Sequence, residues 1–584
     1  MKNIKKLVVA LILPLTLLGS YAAKADSLPG EQFVISNPPT NDRYTGVNLA
    51  DSQDAKNTYS SLEAFTANGT SGESSILTRT PCQKVGDPGC EPSKYFQYNA
   101  QLGMCDSNTT TDCVTSVEAT DDSGKTFVGK YVEDFPGKST FSYPGDPSLN
   151  LPPGSSTFIV DFPDLPHAGG TKYLVVAFMQ GARGFSESKF HSENFAVGIF
   201  AVSKVAGQFS VTRPETTIRP DHQLRGRQAL QGGFGRFASN PTGDWGMTAC
   251  VQTSYSECLL AWTLPNNVSF SMSLKLHEKI TGWLHGRLGD AQSIISTAPD
   301  GDQLISIQGK PSLVPGIYGW FKKSQYPPLL KTLAAQSNGS QWDTNGLGWP
   351  SADGVTNNGP DGLPYSIIRT SFGYDTGSFK EVLAWIGSLG DKAAYAQTVW
   401  SARTIQSGEF GNCIKGTDSL SGIVSTNSTM YVGNPPTFNK TDQTLDYKVV
   451  SPHYLPDGSE FKGSYDLVIR SDVARCIYGF TSAPISATIS VVSANGTAQI
   501  ATTVFNERDG WIRLAARNFT FSSPTVKVQF TQAGSKSAER GAAAPKSAGP
   551  AKPQVKKTII CVKGNISKKI SGEFAACPVG YKKK

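Results

Sequence analysis

Charge is what this sequence has least of. Lys, Arg, Asp and Glu make up 17% of its 584 residues, against about a quarter in an average soluble domain. Gly, Ser, Thr and Asn fill the shortfall, a composition common in extracellular β proteins with many turns. The scarcity is not that of a disordered chain, because 38% hydrophobic and 10% aromatic residues are enough to build packed cores. Beyond residue 25 no apolar run approaches the roughly 20 residues that a membrane helix needs, so no transmembrane segment is expected there. No Cys-x-x-Cys occurs, which argues against a zinc knuckle. G-x-S-x-G and H-E-x-x-H are both absent, removing the serine-hydrolase elbow and the zinc-protease helix. GTDSL at 416–420 only approximates an esterase opening and reads as a turn, and SADGVT at 351–356 falls one residue short of a sialidase box. An LPxTG sorting motif is absent as well.

The charge that is present is unevenly placed. The chain carries +7 in all. Residues 1–25 hold four lysines and no acid, and residues 536–584 hold eleven lysines and one arginine against Glu539 and Glu573. These two ends contribute +4 and +10, so the body from 26 to 535 carries −7. An acidic body argues against a nucleic-acid-binding face, and the basic character belongs to the tail.

The N-terminus, MKNIKKLVVALILPLTLLGSYAAKAD, has the order of a secretory signal peptide. Lys2, Lys5 and Lys6 precede an apolar stretch from Leu7 to Leu18, and Ala23-Lys24-Ala25 supplies the small residues of a cleavage site. Cutting after Ala25 is expected, and with it a secreted or cell-surface location. Ten cysteines in an exported chain favour disulfides. Cys82 and Cys90, Cys105 and Cys113, and Cys250 and Cys258 each lie eight apart. Cys413 with Cys476 and Cys561 with Cys577 are the natural remaining pairs. A nested arrangement, Cys82 with Cys113 and Cys90 with Cys105, stays open from sequence. Each short loop closed in this way contributes roughly 2–3 kcal/mol in the chain-entropy model.

Turn residues divide most of the chain into strand-like pieces such as TFIVDF (157–162), YLVVAFM (173–179), FAVGIFAV (195–202) and VSFSMSLKL (268–276). The last alternates apolar and polar residues, which implies a sheet with one solvated face. The fold class expected is mainly β: several antiparallel β-sandwich, immunoglobulin-like domains, a short helical segment in the middle and a small C-terminal disulfide hairpin. After the signal peptide (1–25), the segments are a disulfide-stapled β domain (26–215), a second β domain (216–326) and a helical and loop segment (327–404). An immunoglobulin-like sandwich (405–535), an Ala/Pro/Lys linker (536–557) and a basic disulfide hairpin (558–584) follow. Residues 102–118 and 247–263 share a strand–Cys–loop–Cys–strand pattern that suggests one stapled hairpin used twice. Helices are expected over PPLLKTLAAQS (327–337), over FKEVLAWIGSL capped by Ser378, and over KAAYAQTVWSARTI capped by Asp391. Seven strands are expected in 405–535, ARCIYGFT among them.

Several stretches resemble a group of uncharacterised secreted proteins of actinobacteria. They are RSDVARCIYGF (470–480), ATTVFNERDGWIRLAARNFTFSSP (501–524), the tail CVKG…CPVGYKKK (561–584), WLHGRL (283–288) and WSARTI (400–405). The resemblance covers a third to half of the chain and implies export and architecture, not chemistry.

Candidate sites are few. The loop SNGSQWDTNGLGWPSADGVTNNGPDGLPYS (337–366) is long and rich in Gly, Asn and Asp, and such loops are functional or disordered. Its Trp342 and Trp349 have flat faces suited to a sugar ring, and Asp343, Asn345, Asp353, Asn357 and Asp361 offer oxygen ligands of the kind calcium takes. His277 and His285 in HEKITGWLH read as ordinary surface or half-buried residues. In the tail, Lys563, Lys568, Lys569, Lys582, Lys583 and Lys584 form a cationic group on a stapled hairpin, with an anionic cell-envelope polymer as the expected partner. No catalytic residue and no cofactor is assigned. The reading is a non-enzymatic envelope-associated protein with a binding, adhesion or structural role; the alternative is a carbohydrate-binding or carbohydrate-active extracellular protein.

Overall fold

The computed structural model describes residues 44–49, 59–68, 76–206, 250–321, 376–405, 419–492, 498–499 and 502–532 apart from short gaps. It also describes residues 325, 327–328 and 413 and the backbone strands at 357–358, 364–368, 372–373, 557–563, 566–572 and 582–583. The signal-peptide segment, the linker 536–556 and most of the helix expected at 327–337 lie outside the described residues.

Strands dominate, as the alternating patterns require. In Val268–Leu276 each odd-numbered turn of the pleat is a serine or lysine, while Phe270, Met272 and Leu274 point into the largest core cluster. This strand pairs antiparallel with Cys113–Asp121 on one side and Gln303–Phe321 on the other. Lys172–Arg183 behaves differently because it is apolar on both faces. Tyr173, Val175, Ala177 and Met179 enter the same large cluster, whereas Leu174, Val176 and Phe178 pack with Phe135, Ile159 and Leu259 behind it. A strand buried on both faces must read as a continuous apolar run, and YLVVAFM does. Each such side chain contributes roughly 1.5–3 kcal/mol on burial.

The chain forms two compact units: residues up to 530 apart from 483–485, and residues 483–485 with 531–584. Within the first, hydrogen-bonded strands join residues on both sides of the segment borders at 215/216, 326/327 and 404/405. His191–Ala206 pairs with Tyr395–Ile405, Cys113–Asp121 with Val268–Leu276, and Gly282–Gly286 runs parallel to Leu420–Thr426. The mainly β class holds. The immunoglobulin-like form of 405–535 is not established, because its strands divide. Leu420–Thr426, Gly463–Arg470, Trp511–Phe519 and Thr502–Arg508 continue the sheet that reaches them through Gly282–Gly286. Met430–Val432, Thr444–Val450 and Thr525–Gln532 belong to a second sheet.

Three local expectations need correction. KAAYAQTVWSARTI is not a helix but the strand Tyr395–Ile405. Its spacing of four (Ala394, Thr398, Ala402) suits one helix face, but an even spacing also keeps residues on one face of a strand. Partners on both edges decide the matter, and Trp400 Nε1 donates to Gly309 O at 2.8 Å. Asp391 caps no helix there; it has a φ of 58° and accepts from His453 N at 3.0 Å. ARCIYGFT is not a strand, since Ser471–Tyr478 forms a helix that Gly479 closes at φ 66°. An acid in its first turn and glycine at its end were the readable signals. Third, the two cysteine stretches fold differently. Cys250–Thr253 and Glu257–Trp262 make an antiparallel hairpin, whereas Met104 makes a parallel bridge to Val114, whose strand pairs with Val268–Leu276.

The expected helix at FKEVLAWIGSL is present as Thr376–Ser388, starting before Ser378. Phe379, Val382, Trp385 and Ile386 recur at helical spacing and pack with Ile317, Phe321, Met430 and Val450. Gly390, at φ 72°, follows its last turn.

Candidate functional site

Two stretches singled out in the sequence, WLHGRL and WSARTI, prove to be neighbours. They pair antiparallel with His285 opposite Arg403 and Trp283 opposite Ile405. On the other edge, Leu420–Thr426 runs parallel to WLHGRL, with His285 beside Val424. The chain then leaves this sheet through Ser425-Thr426-Asn427-Ser428-Thr429, all buried, and enters Met430–Val432 of the second sheet.

A polar crossing inside a core must satisfy its own backbone, and the side chains around it do so. Arg287 Nη1 donates to Thr426 O at 2.8 Å and Ser428 O at 2.7 Å. Ser425 Oγ lies 2.7 Å from both Gly286 O and Leu288 O, sharing its one proton between them, and accepts from Leu288 N at 2.8 Å. Thr429 Oγ1 donates to Pro315 O at 2.6 Å. Tyr431 is the hub. The His285 ring stacks on it with centroids 3.3 Å apart and planes 5° apart, and the Arg287 guanidinium lies 4.7 Å from its centroid. Arg403 donates to its hydroxyl from Nε at 3.0 Å and Nη2 at 2.6 Å. Burial, reinforced by Arg287 and Arg403, holds the His285 imidazole well below its ordinary pKa. The ring therefore stays neutral. Since His285, Arg287 and Tyr431 are at most 2% exposed, this cluster is a buried contact between two sheets. His285 is thus fully buried, not the surface or half-buried residue expected. Tyr431 and the polar crossing went unnoticed; the readable signal was a run of five polar residues between IV and MYV.

His277 is placed apart from His285, at the end of Val268–Leu276. Its Nδ1 lies 3.1 Å from Asp302 Oδ1, its backbone N donates to Asp112 Oδ1 at 2.9 Å, and Thr111 Oγ1 donates to Asp302 Oδ2 at 2.6 Å. Lys275 pairs with both Asp300 and Asp302. Glu278 accepts from Ser192 N at 2.9 Å, and burial raises the pKa of Glu278 and of Asp112. An imidazole oriented by a carboxylate is one part of general-base chemistry. Among the described residues the nearby hydroxyl, Thr111, donates to the far oxygen of that carboxylate. Among the described residues no group of three or more His, Cys, Asp or Glu can hold a metal ion.

The remaining candidates fare as follows. Cys82 is bonded to Cys90, Cys105 to Cys113 and Cys413 to Cys476, which excludes the nested pairing. Cys258 is disulfide-bonded, and Cys250 begins the strand paired with its own. Cys577, Lys584, Trp342, Asp343, Asn345, Trp349, Asp353 and Asp361 lie outside the described residues; Asn357 starts a two-residue strand paired with Pro364–Ile368. In the tail Lys557–Lys563 pairs with Ile566–Gly572 as expected, with Lys563 opposite Ile566. A third strand, Lys582–Lys583, pairs with Cys561 and Val562 on the other edge. It was not anticipated, and it converts the hairpin into a three-stranded sheet.

Comparison with protein families, with characterised proteins and with solved structures finds nothing that matches this chain.

Proposed function

We propose that the chain is a secreted or cell-surface protein that does no enzymatic chemistry and serves a cell envelope by binding, adhesion or structure. This accords with its resemblance to secreted actinobacterial proteins. The observation that carries the reading is the set of closed disulfides, Cys82–Cys90, Cys105–Cys113 and Cys413–Cys476. Such bonds persist in oxidising surroundings, and here they staple loops and a helix of a β body. The most polar clusters of that body are spent on structure: Arg287 on backbone carbonyls, Asp302 on a loop hydroxyl and a histidine. The basic tail supplies the attachment, as a cationic sheet that holds an anionic envelope polymer.

The test is retention of the chain from residue 26 on isolated envelope material, with and without residues 536–584. The full chain should be retained and then released as salt rises from about 0.1 M to about 1 M, where the Debye length falls from about 10 to about 3 Å. Equal retention of both forms, or retention indifferent to salt, overturns the proposal.

A further inference from the structure

We infer that the strand Thr502–Arg508 is a docking edge, and that its occupant is an extended acidic segment of another protein, added as a further strand. This site is separate from the tail and its attachment. Thr502–Arg508 pairs with Trp511–Phe519 on one side and, among the described residues, with no strand on the other. Every residue from Val504 to Gly510 is exposed. Val504 is 57% and Phe505 37% exposed. Successive strand residues point to opposite faces, so both faces are open here. A free edge is ordinarily kept from pairing by a bulge, a proline or a lysine. Here seven pairs run without a shift in register, and the strand holds no proline and no lysine.

Charge selects the occupant. Asn506 stands opposite Arg513, and Val504 opposite Ala515 on the same face. The other charges of the hairpin are answered within the chain. Glu507 meets Arg475 at 2.6 Å, Arg508 meets Asp509 at 3.1 Å and Arg517 meets Asp466 at 2.7 Å. Arg513 pairs with no carboxylate among the described residues. Its Nη1 reaches Arg508 O at 3.5 Å, so the guanidinium leans toward Thr502–Arg508, and its buried Nε has no partner. An unanswered charged donor is costly, and a carboxylate arriving beside Asn506 answers it. Arg513 lies one strand further in, about 9.5 Å from an incoming strand, a span that arginine and glutamate side chains cover together. A second copy of this chain offers nothing equivalent. Its Thr502–Arg508 carries Val504, Asn506 and Arg508 on that face and no acid. Strand alternation then defines the partner: acidic residues at every second position toward Arg513, and apolar ones toward Phe505.

The test uses the chain from residue 26 with three probes. One is a peptide alternating Val and Glu, long enough to lie along Thr502–Arg508; the second is its Val/Gln counterpart. The third is the Val/Glu peptide with every amide N-methylated, which has no main-chain donor. The Val/Glu peptide should bind, and the Val/Gln form about tenfold more weakly, as a charge-assisted bond is worth that much. The N-methylated form should not bind measurably. Arg513→Gln should abolish the preference for Glu over Gln, a change that a purely structural role would not produce. Phe505→Ser and Val504→Ser should each weaken both peptides about threefold; two exposed positions guard against a folding defect. Absence of binding, or equal binding of the N-methylated form, overturns the inference. Binding indifferent to all three variants overturns it too, and assigns the peptide to the tail. A dimer seen by sedimentation and lost in Phe505→Ser overturns the choice of occupant, because a second copy then takes the edge.

Discussion

Asp466 and Arg517 set one residue-scale expectation. Asp466 is buried in Gly463–Arg470, and Arg517 Nη2 reaches its Oδ1 at 2.7 Å and Asp290 at 3.0 Å. Burial outweighs this pairing and pushes the Asp466 carboxyl up to about 6. A folded pKa above the unfolded one means that the folded state holds the proton more tightly. Stability from this group is therefore complete below about pH 4, is lost as pH rises to about 6, and stays level above. The loss is about 2–3 kcal/mol. Thermal melts at pH 4.5 and pH 7.5 should show a step in the native chain that Asp466→Asn lacks; an identical step in both excludes Asp466 as its source. Arg287 gives a second expectation. Replacing it with Met leaves two buried carbonyls, Thr426 O and Ser428 O, without its donors and should cost about 3 kcal/mol or more. Arg287→Lys should fall between, because a single ammonium spans both acceptors less well. Urea denaturation gives the order, and a tolerated Met would show that the crossing is held by other groups.

Among the elements, Gly422 and Trp283 are packed closely. A Cβ on Gly422 would lie 2.4 Å from the Trp283 ring and 2.7 Å from Val468 O, in the row where Gly282–Gly286, Leu420–Thr426 and Gly463–Arg470 meet. Gly422→Ala should therefore destabilise by about 2–3 kcal/mol through overpacking, measured as a lowered denaturation midpoint, and a neutral outcome would mean that the strands part freely. At Asp509-Gly510 the hairpin between Thr502–Arg508 and Trp511–Phe519 has positive φ at both turn positions, 55° and 76°. That turn was readable from Asp-Gly between two strands. The helix at 376–388 was readable from its apolar spacing. The strand at 395–405 was not, because alanine-rich spacing of four fits both periods and the deciding partners lie as far away as Gly282–Gly286. The buried cluster around Tyr431 was hidden for the same reason: WLHGRL and WSARTI begin 117 residues apart, at Trp283 and Trp400. Nothing local marks them as partners.

For the whole molecule, the Cys413–Cys476 bond closes 63 residues, against eight for Cys82–Cys90. Loop-closure entropy makes the longer one worth about 4 kcal/mol and the shorter about 2.5. Converting Cys413 and Cys476 together to serine should lower the melting temperature more than converting Cys82 and Cys90; the reverse order would locate the stabilisation in the shorter loop. Sequence alone determined the mainly β class, the tail hairpin and the distribution of charge, because each depends on periodicity, spacing or composition within a few residues. Tertiary structure decided which strands share edges, that His285 is sealed beneath Tyr431, and that Lys583 returns to the side of Cys561 opposite Lys568. Those outcomes depend on hydrogen-bond partners and burial distant in the chain, and no local pattern encodes them.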